Sequence, residues 1–128
     1  MIQKKFYRCN ICGNIFGTIH DSGVVPVCCL QPMVVLKANS TDAAQEKHVP
    51  EINRDGNNVT VKVGSILHPM EDDHYIQWIV VTNKKGFTER VELSPNDIPE
   101  VTFYVEKSDG PVTVYEYCNL HGLWIAGE

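Results

Sequence analysis

VTVKVGSILHPMEDDHYIQWIVVT, residues 59–82, is the stretch on which the reading of the fold turns. Val59, Val61 and Val63 alternate with Thr60 and Lys62, the period of a strand that buries one face. HYIQWIVVT (74–82) is rich in β-branched and aromatic residues and reads as another strand. His68 and His74 bracket the loop PMEDD (69–73) between them. Pro69 fixes the start of that loop and biases His68 towards extended backbone angles.

The same pattern continues to both sides. Upstream lies an RDGNN turn (54–58). Downstream come the NKKG turn (83–86), FTERVEL (87–93), the loop SPNDIP (94–99), VTFYVEK (101–107), the SDGP turn (108–111) and VTVYEY (112–117). Several short strands separated by turn residues predict an antiparallel β-sandwich of about 90 residues. Tyr75, Trp78, Phe87, Phe103 and Tyr104 are expected to pack its core or pair across strands, and Trp124 to pack the C-terminal turn against it.

The first 37 residues differ. KKFYR, the CNICGN turn, IFGTIH, VVPV and MVVLK read as short strands and turns in a piece too small for a hydrophobic core alone, so a staple is expected. NSTDAAQEKH (39–48) joins the two parts. Asp42 is the expected helix N-cap, with Gln45 three residues on, and Pro50 closes one or two helical turns. The reading is therefore mostly β, with residues 1–37 as a small metal-bound unit and 38–128 as the sandwich.

The chain has 128 residues and a formal net charge of -5. That balance argues against a general nucleic-acid surface, though a local positive patch around one small anion remains compatible with it. No apolar run approaches the roughly 18 residues of a membrane helix. MIQKKFYRC at the N-terminus has no apolar stretch or small-residue cleavage site behind its lysines, so a cytoplasmic location is expected. There thiols stay reduced, and clustered cysteines bind metal more often than they form disulfides.

Cys9 and Cys12 form a CxxC on a tight turn before Gly13, and Cys28 and Cys29 follow after an intervening hairpin. Four thiolates suit tetrahedral zinc or a single iron, and this group alone does not decide between them. Adjacent cysteine ligands predict a distorted tetrahedron. Cys118 stands far from all four, with His121 three residues on. His48, His68, His74 and His121 all fall on loops or strand ends, where ligands from distant positions converge. Four imidazoles and one thiolate disfavour structural zinc and suit iron with one octahedral position open. His20 lies away from this group and is read as a non-ligand.

CNICGN (9–14), VCC-x-x-PM (27–33), NSTDAAQEKHVP (39–50), VKVGSILHPMEDDHYIQWI (61–79) and EYCNLHGLW (116–124), in this order, resemble desulfoferrodoxin, the two-iron superoxide reductase of anaerobic and microaerophilic microbes. The likeness runs nearly end to end. It implies a desulforedoxin-like N-terminal unit whose iron is held by Cys9, Cys12, Cys28 and Cys29. It also implies an immunoglobulin-like sandwich whose catalytic iron takes His48, His68, His74 and His121 as equatorial ligands and Cys118 as axial thiolate. Leu30 departs from the pattern, which expects a smaller residue after the cysteine pair.

The implied reaction is reduction of superoxide to hydrogen peroxide, with release of dioxygen excluded. Ferrous iron with four neutral imidazoles and one thiolate carries one net positive charge and attracts so small an anion. On sequence alone Glu46 and Lys47 read as a solvated charged pair. The resemblance instead makes Lys47 the residue that steers superoxide and helps deliver a proton, and Glu46 a carboxylate that ligates the oxidised resting state. It further implies a rubredoxin-like electron donor and a homodimer. The four-cysteine iron is either an electron relay or a structural staple. The rival from another class is a non-catalytic electron carrier with no open position.

Overall fold

A computed structural model describes residues 4–128; residues 1–3, the start of the MIQKKFYRC stretch, lie outside the described residues. These residues fall into two compact units that part between Lys37 and Ala38.

The smaller unit holds strands β1 (Phe6–Arg8), β2 (Ile15–Gly17), β3 (Val27–Cys28), β4 (Gln31–Pro32) and β5 (Val34–Val35). β1 pairs antiparallel with both β2 and β5, and β3 with β4. Its buried centre comprises Phe6, Tyr7, Cys9 and Met33. VVPV was expected as a strand, but only Val27 of it lies in one, and the strand at Gln31–Pro32 was not foreseen. Cys28 ends β3 and pairs with Gln31, so Cys29 and Leu30 make the turn to β4. Cys29 and Leu30 both take positive φ, 53° and 62°, as the central residues of a two-residue type I′ hairpin must.

The larger unit opens with α1 (Gln45–His48), one turn whose N-cap is Ala44, with no side-chain cap bond. Asp42 therefore does not cap it, because the turn starts two residues later than expected. β6 (Pro50–Asp55), β7 (Asn58–Val63), β8 (Ile76–Asn83), β9 (Thr88–Glu92), β10 (Glu100–Tyr104), β11 (Val112–Cys118) and β12 (Gly122–Gly127) follow. They form two antiparallel sheets, ordered β10-β7-β6 and β12-β11-β8-β9. This is an immunoglobulin-like sandwich. Val59, Val61, Val63 and Phe103 from the first sheet meet Ile76, Ile79, Val81, Val112, Val114 and Cys118 from the second. Each such aliphatic side chain contributes about 1.5–3 kcal/mol through burial.

Two details position the site. The β8–β11 register skips Gln77, since Tyr117 faces Trp78 while Cys118 faces Ile76. The bulge shifts the phase of β8, so Ile76 points into the core although Ile79 and Val81 do so from the opposite parity. Secondly, the chain does not end its strands at VTVYEY: GLWIAG pairs along β11 from Cys118↔Gly122 to Thr113↔Gly127. Trp124, expected to pack the C-terminal turn, is buried and lies on this last strand, which was not foreseen. Tyr104, expected in the packing, is 65% exposed and accepts a bond from Asn57 Nδ2. Among the described residues no helix is long and apolar enough to cross a membrane.

Candidate metal centres

In the smaller unit the ligand atoms of Cys9, Cys12, Cys28 and Cys29 all lie within 4.8 Å of one another, and all four are free thiols. The knuckle is built by backbone: Gly13 N–H donates to Cys9 O at 2.9 Å and Cys12 N–H points at Cys9 Sγ at 3.5 Å. Gly13 takes φ +83°, which lets the chain turn away. Cys12 Sγ and Cys28 Sγ stand 3.6 Å apart, against about 3.8 Å for the edge of a tetrahedron with metal–sulfur bonds of about 2.3 Å. Donation from the Cys12 and Ile11 N–H groups lowers the Cys9 thiol to about 6, while the crowding thiols of Cys12 and Cys9 push Cys29 up to about 12. Four sulfurs this close cannot all ionise without a cation among them.

In the larger unit the donors come from three places. α1 carries His48, the loop between β7 and β8 carries His68 and His74, and the end of β11 with the turn after it carries Cys118 and His121. His48 Nδ1 lies 2.7 Å from Ala44 O and His68 Nδ1 lies 2.6 Å from Pro69 O. A carbonyl only accepts, so both Nδ1 atoms carry the proton and both Nε2 atoms present lone pairs. Those two Nε2 atoms face each other at 3.2 Å. His121 Nδ1 lies 3.1 Å from His48 Nε2 and 3.9 Å from Cys118 Sγ. His74 Nε2 is buried with no hydrogen-bond partner. Facing lone pairs and an orphaned ring nitrogen repel or go unpaired unless a cation sits between them, so the donor set fits a metal ion.

The rings form a four-bladed ring. Neighbours stand edge-on, at 77° for His48–His68, 82° for His68–His74, 78° for His74–His121 and 88° for His121–His48. His48 and His74 lie opposite each other, 6.4 Å apart and only 29° from parallel. Opposed pairs exist in square and octahedral arrangements and not in a tetrahedron. His48, His74, Cys118 and His121 bring their ligand atoms within 4.8 Å of one another; His68 joins them through His48 and His74. His20 is exposed in the smaller unit and takes no part.

Burial favours the neutral form of three of the imidazoles: it lowers His48 and His74, and holds His68 at about 4. Burial pushes the Cys118 thiol up, opposed by the backbone N–H groups of His121 and Leu120, which favour the thiolate. Trp124, 1% exposed, stacks on His48 at 4.9 Å and donates Nε1–H to His121 O at 3.2 Å. Glu46 and Lys47 are exposed on α1, and the Lys47 charge reaches both His48 and His74.

Several supporting residues escaped the sequence reading. Glu116 faces the core on the same side of β11 as Cys118, fully buried and with neither oxygen bonded; desolvation raises its pKa well above the usual range. The one acidic residue inside VTVYEY was the available signal. Gly64, at φ +82°, packs against the α1 backbone, where a Cβ would meet Glu46 O at 2.7 Å and Ile66 O at 2.4 Å. Ser65 Oγ and Ile66 N–H both donate to Glu46 O, at 3.2 and 3.0 Å.

A family model described as desulfoferrodoxin matches residues 40–127, and one described as desulfoferrodoxin, N-terminal domain, matches residues 3–36. The chain is 50% identical over 126 residues to a desulfoferrodoxin of Syntrophotalea carbinolica, covering 97% of each. Among solved structures it resembles the superoxide reductase from Treponema pallidum, with a TM-score of 0.80 and 34% identity over 98% of this chain and 99% of that one. The superoxide reductase (1Fe-SOR) from Giardia intestinalis matches 65% of this chain and 97% of its own, with a TM-score of 0.58 and 31% identity.

Proposed function

The chain belongs to the desulfoferrodoxin family, and from that premise we propose that it is a superoxide reductase, converting superoxide to hydrogen peroxide with one electron and two protons and releasing no dioxygen. The two donor groups match the two iron sites of that family. One observation carries the reading. Four imidazoles and one thiolate are five protein donors, so an octahedral ion held by His48, His68, His74, His121 and Cys118 keeps one position for a small molecule. The likeness to the treponemal superoxide reductase supports it.

Iron bound there in its ferrous form supplies the electron. The protein does the rest. Ala44 O and Pro69 O hold the His48 and His68 rings so that both Nε2 atoms would be free to bind the ion, as outer partners of metal-bound histidines do. Cys118 is the anionic donor, and the Leu120 and His121 N–H groups set how much charge its sulfur passes on. Lys47 adds positive potential over the site in an otherwise acidic protein, drawing in the superoxide anion and serving as a proton source for the hydrogen peroxide that forms. Glu46, exposed on α1, is the carboxylate that would ligate iron in its oxidised form. Cys9, Cys12, Cys28 and Cys29 would hold the second iron, either as the staple of a unit with few buried side chains or as an electron relay. A rubredoxin-like carrier returns the electron after each turnover, and the chain works as a homodimer in the cytoplasm.

The direct test is Cys118→Ser. It is expected to abolish superoxide reduction while the absorption of the four-cysteine iron stays. Retained activity would remove the thiolate from the reaction and with it this reading.

A further inference from the structure

Asn119 follows Cys118 and stands two residues before His121, just past the last pair of the β8–β11 ladder, Cys118↔Ile76. Its three hydrogen bonds all run to the chain around His74. The backbone N–H donates to Tyr75 O at 3.2 Å. The side-chain Oδ1 accepts Tyr75 N–H at 2.9 Å, and Nδ2 donates to Asp73 O at 3.0 Å. His74 itself exchanges backbone bonds with Glu71, at 3.1 and 2.9 Å. Its loop is thus tied to its own beginning on one side and to the Cys118–His121 turn on the other.

The tie falls where the sheet cannot supply one. The bulge at Gln77 breaks the regular register one step earlier, so residues 73–75 have no strand partner in line. A carboxamide offers an acceptor and a donor a short distance apart, as a peptide group does, and here it stands in for the missing ladder. We infer that Asn119 is a positioning residue of the histidine–cysteine centre: its side chain sets where His74 stands relative to Cys118 and His121. The inference rests on His74 being a ligand, and it is independent of the reaction that the centre performs.

Ferrous iron binding to the full chain, measured by competition with a chelator, tests it. The four-cysteine iron serves as an internal reference. Asn119→Ala is expected to weaken binding at the histidine–cysteine centre about 10- to 100-fold, the range seen when outer partners of metal ligands are removed. Asn119→Asp keeps the acceptor for Tyr75 N–H and loses the donor to Asp73 O, so it should fall between Asn119→Ala and the parent. In a His74→Ala background, itself weakened, adding Asn119→Ala should cost almost nothing more. A purely structural asparagine would lower the unfolding midpoint of the metal-free protein and give the same loss in both backgrounds. That result, or unchanged affinity in Asn119→Ala, overturns the inference. Unchanged affinity in His74→Ala would overturn the ligand assignment first, and the inference with it.

Discussion

His68 is held so that its second nitrogen has one use. Its Nδ1–H is committed to Pro69 O, the ring is 2% exposed, and Nε2 faces another imidazole. Burial keeps its pKa at about 4, below the roughly 6.5 of a free imidazole. Between those values the unfolded chain binds a proton that the folded chain refuses. The contribution of His68 to the stability of the metal-free protein is therefore lost as pH drops from about 6.5 to about 4. Protons compete with iron over the same window, so iron should leave the histidine centre on acidification. Iron retained in the presence of a chelator, followed from pH 7 to pH 4.5, checks this; a flat profile would contradict it. Lys47 belongs to the same scale. Lys47→Ala is expected to slow the second-order reaction with superoxide severalfold at low salt, with the deficit shrinking as ionic strength rises. An unchanged rate at low salt would remove Lys47 from the mechanism. The residue scale is also where sequence alone ran shortest. EK before a histidine carries no distinguishing signal, and only the family resemblance gave it a role. Asn119 and Glu116 owe their meaning to register and burial, which no short motif encodes.

Elements decide whether these residues meet. α1 is a single turn without a side-chain cap, too short to persist by itself. It is pinned by the turn at Gly64–Ile66 through the paired donors on Glu46 O. Gly64→Ala would drive a Cβ into the Glu46 and Ile66 carbonyls at a φ of +82°. It should lower stability by about 3 kcal/mol or more and cost the histidine centre its iron, a combination of close clash and left-handed strain. Calorimetry with iron analysis checks both; a variant as stable and as iron-rich as the parent would show that the turn can yield. The hairpin at Cys29–Leu30 is the opposite case. Leu30 is 98% exposed yet sits at φ +62°, so its side chain brings strain without packing. Glycine is at home there, and Leu30→Gly should stabilise the smaller unit by about 0.5–1 kcal/mol, read as slower iron loss from the four-cysteine site. Faster loss would show that the exposed leucine has a contact of its own. The smaller residue expected after the cysteine pair thus has a physical reason. Strands with clear alternation, such as VTVKV, were legible in the sequence. GLWIAG was passed over for want of that alternation, and the bulge at Gln77 was invisible because a one-residue register skip leaves no mark on composition.

At the scale of the whole molecule, two units carry two separate donor groups, one of sulfur and one mostly of nitrogen. The cysteine spacing marked the first group, since thiolates close in sequence have few other uses in a reduced compartment. The second group draws on positions from His48 to His121, and its convergence is a property of the sandwich that spacing alone left open. If the four-cysteine iron is a staple, Cys12→Ser should lose its absorption while a folded protein still consumes superoxide at the parent rate. A large fall in rate with the histidine centre intact would make that iron a relay. A non-catalytic electron carrier would have no exchangeable position, so azide or cyanide would leave the histidine-centre spectrum unchanged; the present account expects both to shift it. The most direct measurement is the stoichiometry of superoxide consumption by the reduced, iron-loaded chain. One hydrogen peroxide per superoxide with no dioxygen evolved is the predicted result. Dioxygen evolved at half the superoxide consumed would mean dismutation and would contradict the account.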